Sequence, residues 1–451
     1  MLINASFENF KSFDELTELT MISSNKIRTP IDHKSTIRGT SVLKSAAIYG
    51  ANAAGKSNLI EAFHFYKYCV TKGLPTQSVQ LFCKNKESNE TRESSFELQM
   101  TINDAFYAYG FSAILSEMQF TSEWLYELLP DGSSKPLFTK DNGKKPVLGS
   151  SIKLSTSEKN KYKTYSDDFE DNNKSLFLTE MNRNKKIDTN SKLSFFQIVY
   201  EWIANKILIY TPDMPITDFE LYYNEKSLSL VNKLIQTFDT GITQVKIEEI
   251  SLDDLTTRLP KSILNDVMND LRTEFEKSDK DKASLSMRSE SSFFNVELKG
   301  KLEPKITTIR LKHGKSFFDF DFDEESDGTR RLFDLIDMLL NAGDDVVFLV
   351  DELERSLHPK LTYHFIELFM EFHREHSVQL IFTTHESSIM DQSLFRRDEI
   401  WFVERNSSNA STLYSLDRFK ERYDKKIDKA YLDGRYGAIP VFSTFTCEEE
   451  L

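Results

Sequence analysis

Four short stretches of this sequence carry residue types that could do chemistry together. The first is Gly50-Ala51-Asn52-Ala53-Ala54-Gly55-Lys56-Ser57, which fits the phosphate-loop pattern G-x-x-x-x-G-K-[ST] at every fixed position. Glycines at positions 50 and 55 let backbone N–H groups turn toward phosphate oxygens, where a side chain would block approach. Lys56 is placed to reach the β- and γ-phosphates and the Ser57 hydroxyl to ligate Mg²⁺. The second is the acid pair Asp351-Glu352, which ends the apolar run Val346 to Val350. The first acid suits a magnesium ion and the second an attacking water. Neither fits a core strand unless paired or functional, the plain alternative being a strand-end N-cap. The third is Glu325-Ser326-Asp327-Gly328-Thr329-Arg330, a second anion-ready helix start built on Ser326 and Gly328, or else an ordinary N-cap. The fourth is His385, after Gln379 to Thr384, an imidazole suited to sensing a γ-phosphate.

The elements that must position these groups can be read from pattern. Lys44 to Tyr49 reads as a buried strand, and Leu59, Phe63, Tyr66 and Val70 recur at helical spacing after the loop. Val346–Val350 and Gln379–Thr384 have the continuous apolar form of strands buried on both faces. Leu332, Leu335, Ile336 and Leu339 form one helix stripe, and Leu361, Phe365, Leu368 and Phe372 another. Residues 1–13 alternate as an edge strand and a turn, and Ser95–Met100, Phe106–Ala113 and Phe120–Glu127 make a β-rich lobe. Residues 131–163 are rich in lysine, glycine and serine and read as a flexible or hairpin-like insertion. Residues 170–300 read as mostly helical, with a projecting arm over Leu252 to Lys282. The expected fold class is α/β: a P-loop ATPase head with a β-lobe, a central sheet flanked by helices, and a helical insertion. Its expected divisions are an N-terminal lobe (1–130), an insertion (131–304) and a C-terminal lobe (305–451).

Bulk properties bound the function. A 451-residue chain with net charge −14 argues against a general nucleic-acid coat, though a local basic groove such as the lysines of 135–163 would remain compatible. Three cysteines without metal spacing suggest a reducing compartment. The amino terminus lacks the marks of a signal peptide, and no apolar run approaches the ~18 residues needed to span a bilayer. The expectation is a cytoplasmic protein with no membrane contact.

The order of these motifs, with FENFKSF at the start, FDTGI in the middle and RRDEIWFVERN near the end, resembles the ATP-binding-cassette ATPases of the SMC, RecF and OLD type. More narrowly, it is similar to the stand-alone bacterial AAA ATPases of phage-defence operons, of the PARIS (AriA) or RloA/AbiL kind, in which ESDGT replaces the usual signature. The resemblance implies that Gly50, Asn52, Ala53, Ala54, Gly55, Lys56, Ser57 and Asn58 hold the phosphates of ATP. It implies that Ser57 and Asp351 hold Mg²⁺, that Glu352 positions water and that His385 is the switch histidine. Ser326 and Gly328, with Arg330 nearby, would act on the nucleotide of an opposing copy, and Lys11 and Ser12 would flank the nucleotide. Three glutamines, Gln77, Gln80 and Gln99, compete for the Q-loop position. The implied partners are a second copy packed head to tail (higher assemblies such as a hexamer staying open), a separate effector nuclease and a phage-encoded trigger. Only 451 − 416 = 35 residues follow Leu416, too few for a fused nuclease. The competing expectation is a DNA-repair or chromosome-maintenance ATPase that clamps DNA.

Overall fold

The computed structural model describes residues 1–27, 29, 31–183, 185, 187–212, 222, 225–258, 268–269, 271, 273, 282–288, 293–299, 304–340, 343–420 and 426–440. By contact the chain divides into two units. One holds residues Met1–Thr211, Gly343–Leu353 and His373–Leu451; the other holds Pro212–Ala342 and Glu354–Phe372. In chain order the strands are β1 (Leu2–Glu8), β2 (Thr17–Thr20), β3 (Lys34–Ile37), β4 (Thr40–Leu43), β5 (Ser45–Tyr49), β6 (Ser94–Ile102), β7 (Ala105–Ile114), β8 (Gln119–Leu128), β9 (Ser134–Asp141), β10 (Val147–Leu148), β11 (Ile207–Tyr210), β12 (Ile242–Ile250), β13 (Lys282–Arg288), β14 (Phe293–Lys299), β15 (Lys305–His313), β16 (Val347–Val350), β17 (Gln379–Thr383), β18 (Ile400–Arg405) and β19 (Ser411–Ser415).

The first unit is built on two sheets. The central one runs β11-β16-β17-β5-β18-β19, parallel through β18 and antiparallel only at β19. Every residue of β5, β16 and β17 is buried, which is why each reads as an unbroken apolar run rather than an alternation. Parallel neighbours put the carboxyl ends of these three strands on one sheet edge, where open α/β sheets bind ligands. The other sheet runs β10-β9-β8-β7-β6-β1-β2 and is antiparallel. Helix α1 (Lys56–Lys72) packs against it, setting Phe63, Phe65 and Tyr66 on Phe7, Phe10, Phe96 and Phe111. Each such ring contributes roughly 1.5–3 kcal/mol by leaving water. The buried Gln379 side chain fastens the start of β17 to this β-lobe: it accepts from Leu2 N at 2.6 Å and donates to Leu2 O and Leu43 O.

Glu123 of β8 is a buried carboxylate inside the lobe. It accepts from Phe177 N at 2.6 Å and Leu178 N at 2.9 Å, capping the short helix Phe177–Asn182, and from the Tyr109 hydroxyl at 2.9 Å. Burial outweighs these bonds and pushes its pKa up to about 7.

The second unit holds an antiparallel sheet, β12-β15-β14-β13, and the helices Glu225–Ile235, Asp327–Leu340 and Pro359–Phe372. Two expectations are corrected here. The described residues of 242–299 are mostly strand, not helix, and Phe294, Val296 and Leu298 face the core at period two. Strand β1 is interior, flanked by β6 and β2, and β2 takes the edge. Residues 131–206 belong with the first unit, since β9 pairs with β8 and extends its antiparallel sheet. The expected arm begins as the helix Leu252–Arg258, and most of its remainder lies outside the described residues, as does Cys447. Cys69 and Cys83 are free and buried. Among the described residues no helix is long and apolar enough to cross a membrane.

Candidate functional site: a phosphate loop beside a bridged acid pair

The loop after β5 is shaped by close approach. A Cβ on Gly50 would lie 2.4 Å from the Val403 carbonyl oxygen. Gly55 has φ +113°, and a Cβ there would meet Ser411 Oγ at 2.3 Å and Ser12 Oγ at 2.7 Å. Ala53 also takes a left-handed φ of +60°. Helix α1 starts at Lys56 with no side-chain cap and no acid in its first turn, so its leading N–H groups and dipole suit an anion. Lys56 Nζ donates to Gly50 O at 2.8 Å and Ala51 O at 3.1 Å, and lies 3.2 Å from His385 Nδ1. An ammonium only donates, so Nδ1 accepts, and the imidazole proton of this arrangement sits on Nε2.

A wall of hydroxyls and one arginine backs the loop. Ser411 Oγ donates to Ala54 O at 2.5 Å and Ser411 N to Ser12 O at 2.7 Å. Asn58 Nδ2 donates to Ser12 Oγ at 2.7 Å, and Arg405 Nε to Ala53 O at 2.7 Å. Lys11 has φ +50° and pairs with Glu61, and partial burial lowers its pKa. Asn52, Ala53 and Ser57 are exposed, whereas Ala54 and Gly55 are buried.

At the neighbouring strand ends, one hydroxyl organises the acid pair. Thr383 Oγ1 donates to the Asp351 carboxylate and accepts from Glu352 N at 2.9 Å. Asp351 N is held by Tyr210 O at 2.8 Å, and Leu353 N by Thr383 O at 3.1 Å. Glu352 is thereby fixed at φ +50°, a conformation a side-chain-bearing residue adopts only when its surroundings impose it. Asp351 and Ser57 offer hard oxygen ligands of the kind Mg²⁺ takes alongside phosphate and water. Among the described residues no group of three or more His, Cys, Asp or Glu could hold a metal.

The structure thus brings Lys11, Ser12, the Gly50–Asn58 loop, Asp351, Glu352 and His385 onto the first unit, whereas Ser326, Gly328 and Arg330 belong to the second. There Ser326 Oγ accepts from Thr329 N at 3.1 Å, an N-cap for the helix Asp327–Leu340. Gly328 is required by close approach, since a Cβ would lie 2.5 Å from Ser356 O. Arg330 pairs with Asp327. Of the lysines in 135–163, Lys135, Lys144 and Lys145 are paired with acids and Lys140 is buried over Phe169.

Sequence reasoning missed Thr383, Arg405 and Ser411. Thr383 lay inside the FTTH run, and Arg405 inside the RRDEIWFVERN run, but only strand pairing shows what either one touches.

A family model described as "AAA domain, putative AbiEii toxin, Type IV TA system" matches residues 45–391. The chain belongs to this AAA family. No curated protein matches it. Solved structures similar to it include an SMC head bound to the C-winged-helix domain of ScpA (13% identity, 92% of this chain, 97% of that one, TM-score 0.42). Others are the SMC head domain from Thermotoga maritima (13%, 92%, 98%, 0.36) and the SMC head with extended coiled coil bound to the C-terminal domain of ScpA from Pyrococcus furiosus (13%, 96%, 98%, 0.33).

Proposed function

We propose that this AAA-family chain is the ATP-hydrolysing sensor subunit of a bacterial anti-phage system, which holds or releases a separate toxic nuclease. The observation that carries the hydrolytic part is the Thr383 bridge, which presents Asp351 and Glu352 beside the strand bearing His385. In this mechanism Gly50, Asn52, Ala53, Ala54, Gly55, Lys56 and Asn58 bind the phosphates, and Ser57 and Asp351 hold Mg²⁺. The ion would draw charge off the transferring phosphoryl group. Glu352 would orient the attacking water, and His385, in contact with Lys56, would sense the phosphoryl charge. Ser326 and Gly328 complete the site from a second copy packed head to tail, with Arg330 nearby. ATP that binds only the paired form favours pairing by mass action, and hydrolysis dissolves it. The toxin–antitoxin wording of the family's description supports the link to an effector. DNA clamping is the competing reading, and it would show DNA affinity falling steeply with salt. The test is Glu352→Gln: turnover should fall roughly a hundredfold or more while the protein accumulates as an ATP-bound dimer. Undiminished turnover in that variant would sink the assignment.

A further inference from the structure

Two neighbouring phenylalanines in the second unit contradict the chain's habit of burying its rings. Phe317 is 92% exposed and Phe318 75%, with their rings packed edge to face at 5.0 Å. They sit at the tip of a hairpin formed by β15 and Phe320, closed by the Leu311–Phe320 backbone pair. That tip is tied to the serine–glycine turn: His313 hydrogen-bonds Glu325, the residue before Ser326, and Ser316 N donates to His313 O at 2.8 Å. The aromatic pair is thus joined to the Ser326 turn by a short hydrogen-bonded link through His313. Exposed aromatic pairs of this kind mark interaction sites more often than idle surface.

The first unit offers an acceptor. A cavity of about 480 Å³ opens between the two edge strands β2 and β19, lined by Leu16, Ile22, Trp401, Leu413 and Tyr414. Leu16 is 58% and Ile22 48% exposed, and the buried Trp401 Nε1 has no hydrogen-bond partner among the described residues. Ser411, also on its wall, is the residue that bonds the phosphate loop at Ala54 O. Glu15, Glu18 and Asp417 line it against Arg418, with Glu15 shared with Lys86. The hairpin tip brings Lys315, exposed, beside the two rings.

We propose that Phe317 and Phe318 of one copy seat in the Leu16–Ile22 groove of a second copy, Lys315 meeting its acidic rim, when the serine–glycine turn of the first closes on the phosphate loop of the second. This rests on the head-to-tail reading above and names the contact that selects the partner. In a Glu352→Gln background with Mg-ATP, a Phe317→Ser/Phe318→Ser double variant should need at least about tenfold more protein to dimerise, by sedimentation. Its melting temperature without nucleotide should stay unchanged. A Leu16→Glu/Ile22→Glu variant should show the same defect. Equal mixing of the two should partly restore pairing, because one intact knob then meets one intact groove. Undiminished dimerisation of either double variant, or a mixture no better than its parts, overturns the contact while leaving the head-to-tail reading standing. A Glu352→Gln protein that stays monomeric with Mg-ATP overturns both.

Discussion

The acid pair on the first unit and the serine–glycine turn on the second are both short polar stretches next to buried structure, yet they differ in what holds them. Glu352 sits in a left-handed conformation that helix or strand formation does not ask for, fixed by Thr383 from an adjacent strand. Ser326 does what any serine before a helix does, and Gly328 is accounted for by the passing Ser356 carbonyl. Geometry that exceeds local need points to chemistry within one copy. Geometry that local need fully explains leaves any further role to a partner. The contrast is between an acid pair whose geometry needs a special grip and a turn whose geometry its own helix and neighbours explain.

Experiments can widen or erase that contrast. The largest effect belongs to Lys56→Ala, which should weaken nucleotide binding roughly a hundredfold or more by titration. Retained affinity would mean the loop binds something else. Thr383→Val should leave binding intact and cut kcat about ten- to a hundredfold, the worth of a buried hydrogen bond to a charged group. Thr383→Ser should recover most of it, and equal rates in all three would show the bridge to be scaffolding.

Ser326 separates the two roles directly. Ser326→Ala should cost about 1 kcal/mol of stability through the lost cap, whereas Ser326→Asp keeps a cap. If the serine acts only on its own helix, the aspartate form should assemble with ATP as the parent does. The proposed role across copies expects it to melt normally and fail to assemble, because a carboxylate would face phosphate. A pH dependence lies remote from both regions. Because the Glu123 pKa is raised from 4.5 to about 7 in the folded state, its stabilising contribution is fully present below about pH 4.5. That contribution, on the order of 3 kcal/mol, is lost as pH rises to 7. Melting scans from pH 5 to 8 should fall for the parent and flatten for Glu123→Gln.

What could be seen in advance followed from burial. Strands β5, β16 and β17 are covered on both faces, so their centres are continuously apolar, and polar groups gather at the sheet edge. That is why the phosphate loop, Asp351, Glu352 and His385 stood out. The sheet of residues 242–313 did not, because strands such as Lys305–His313 mix isoleucine with threonine, lysine and arginine in a way that helix and strand periods both tolerate over short spans. Thr383 was hidden for a different reason. A threonine ending a strand is ordinary, and only its register against β16, with Val350 opposite Phe382, shows that its hydroxyl lands between two acids. Ser411 and Arg405 likewise act through β18 and β19, which reach the loop only by pairing across the sheet.

The Thr383 hydroxyl has one more consequence. Its strand continues, two residues on, to the imidazole that touches Lys56, so the atom gripping the Glu352 peptide and the ring facing the loop share a single short tether. A tug on His385 as charge departs would travel along that tether to the water-orienting carboxylate. Under the proposed mechanism, the end of one turnover would loosen the setting for the next through this link alone.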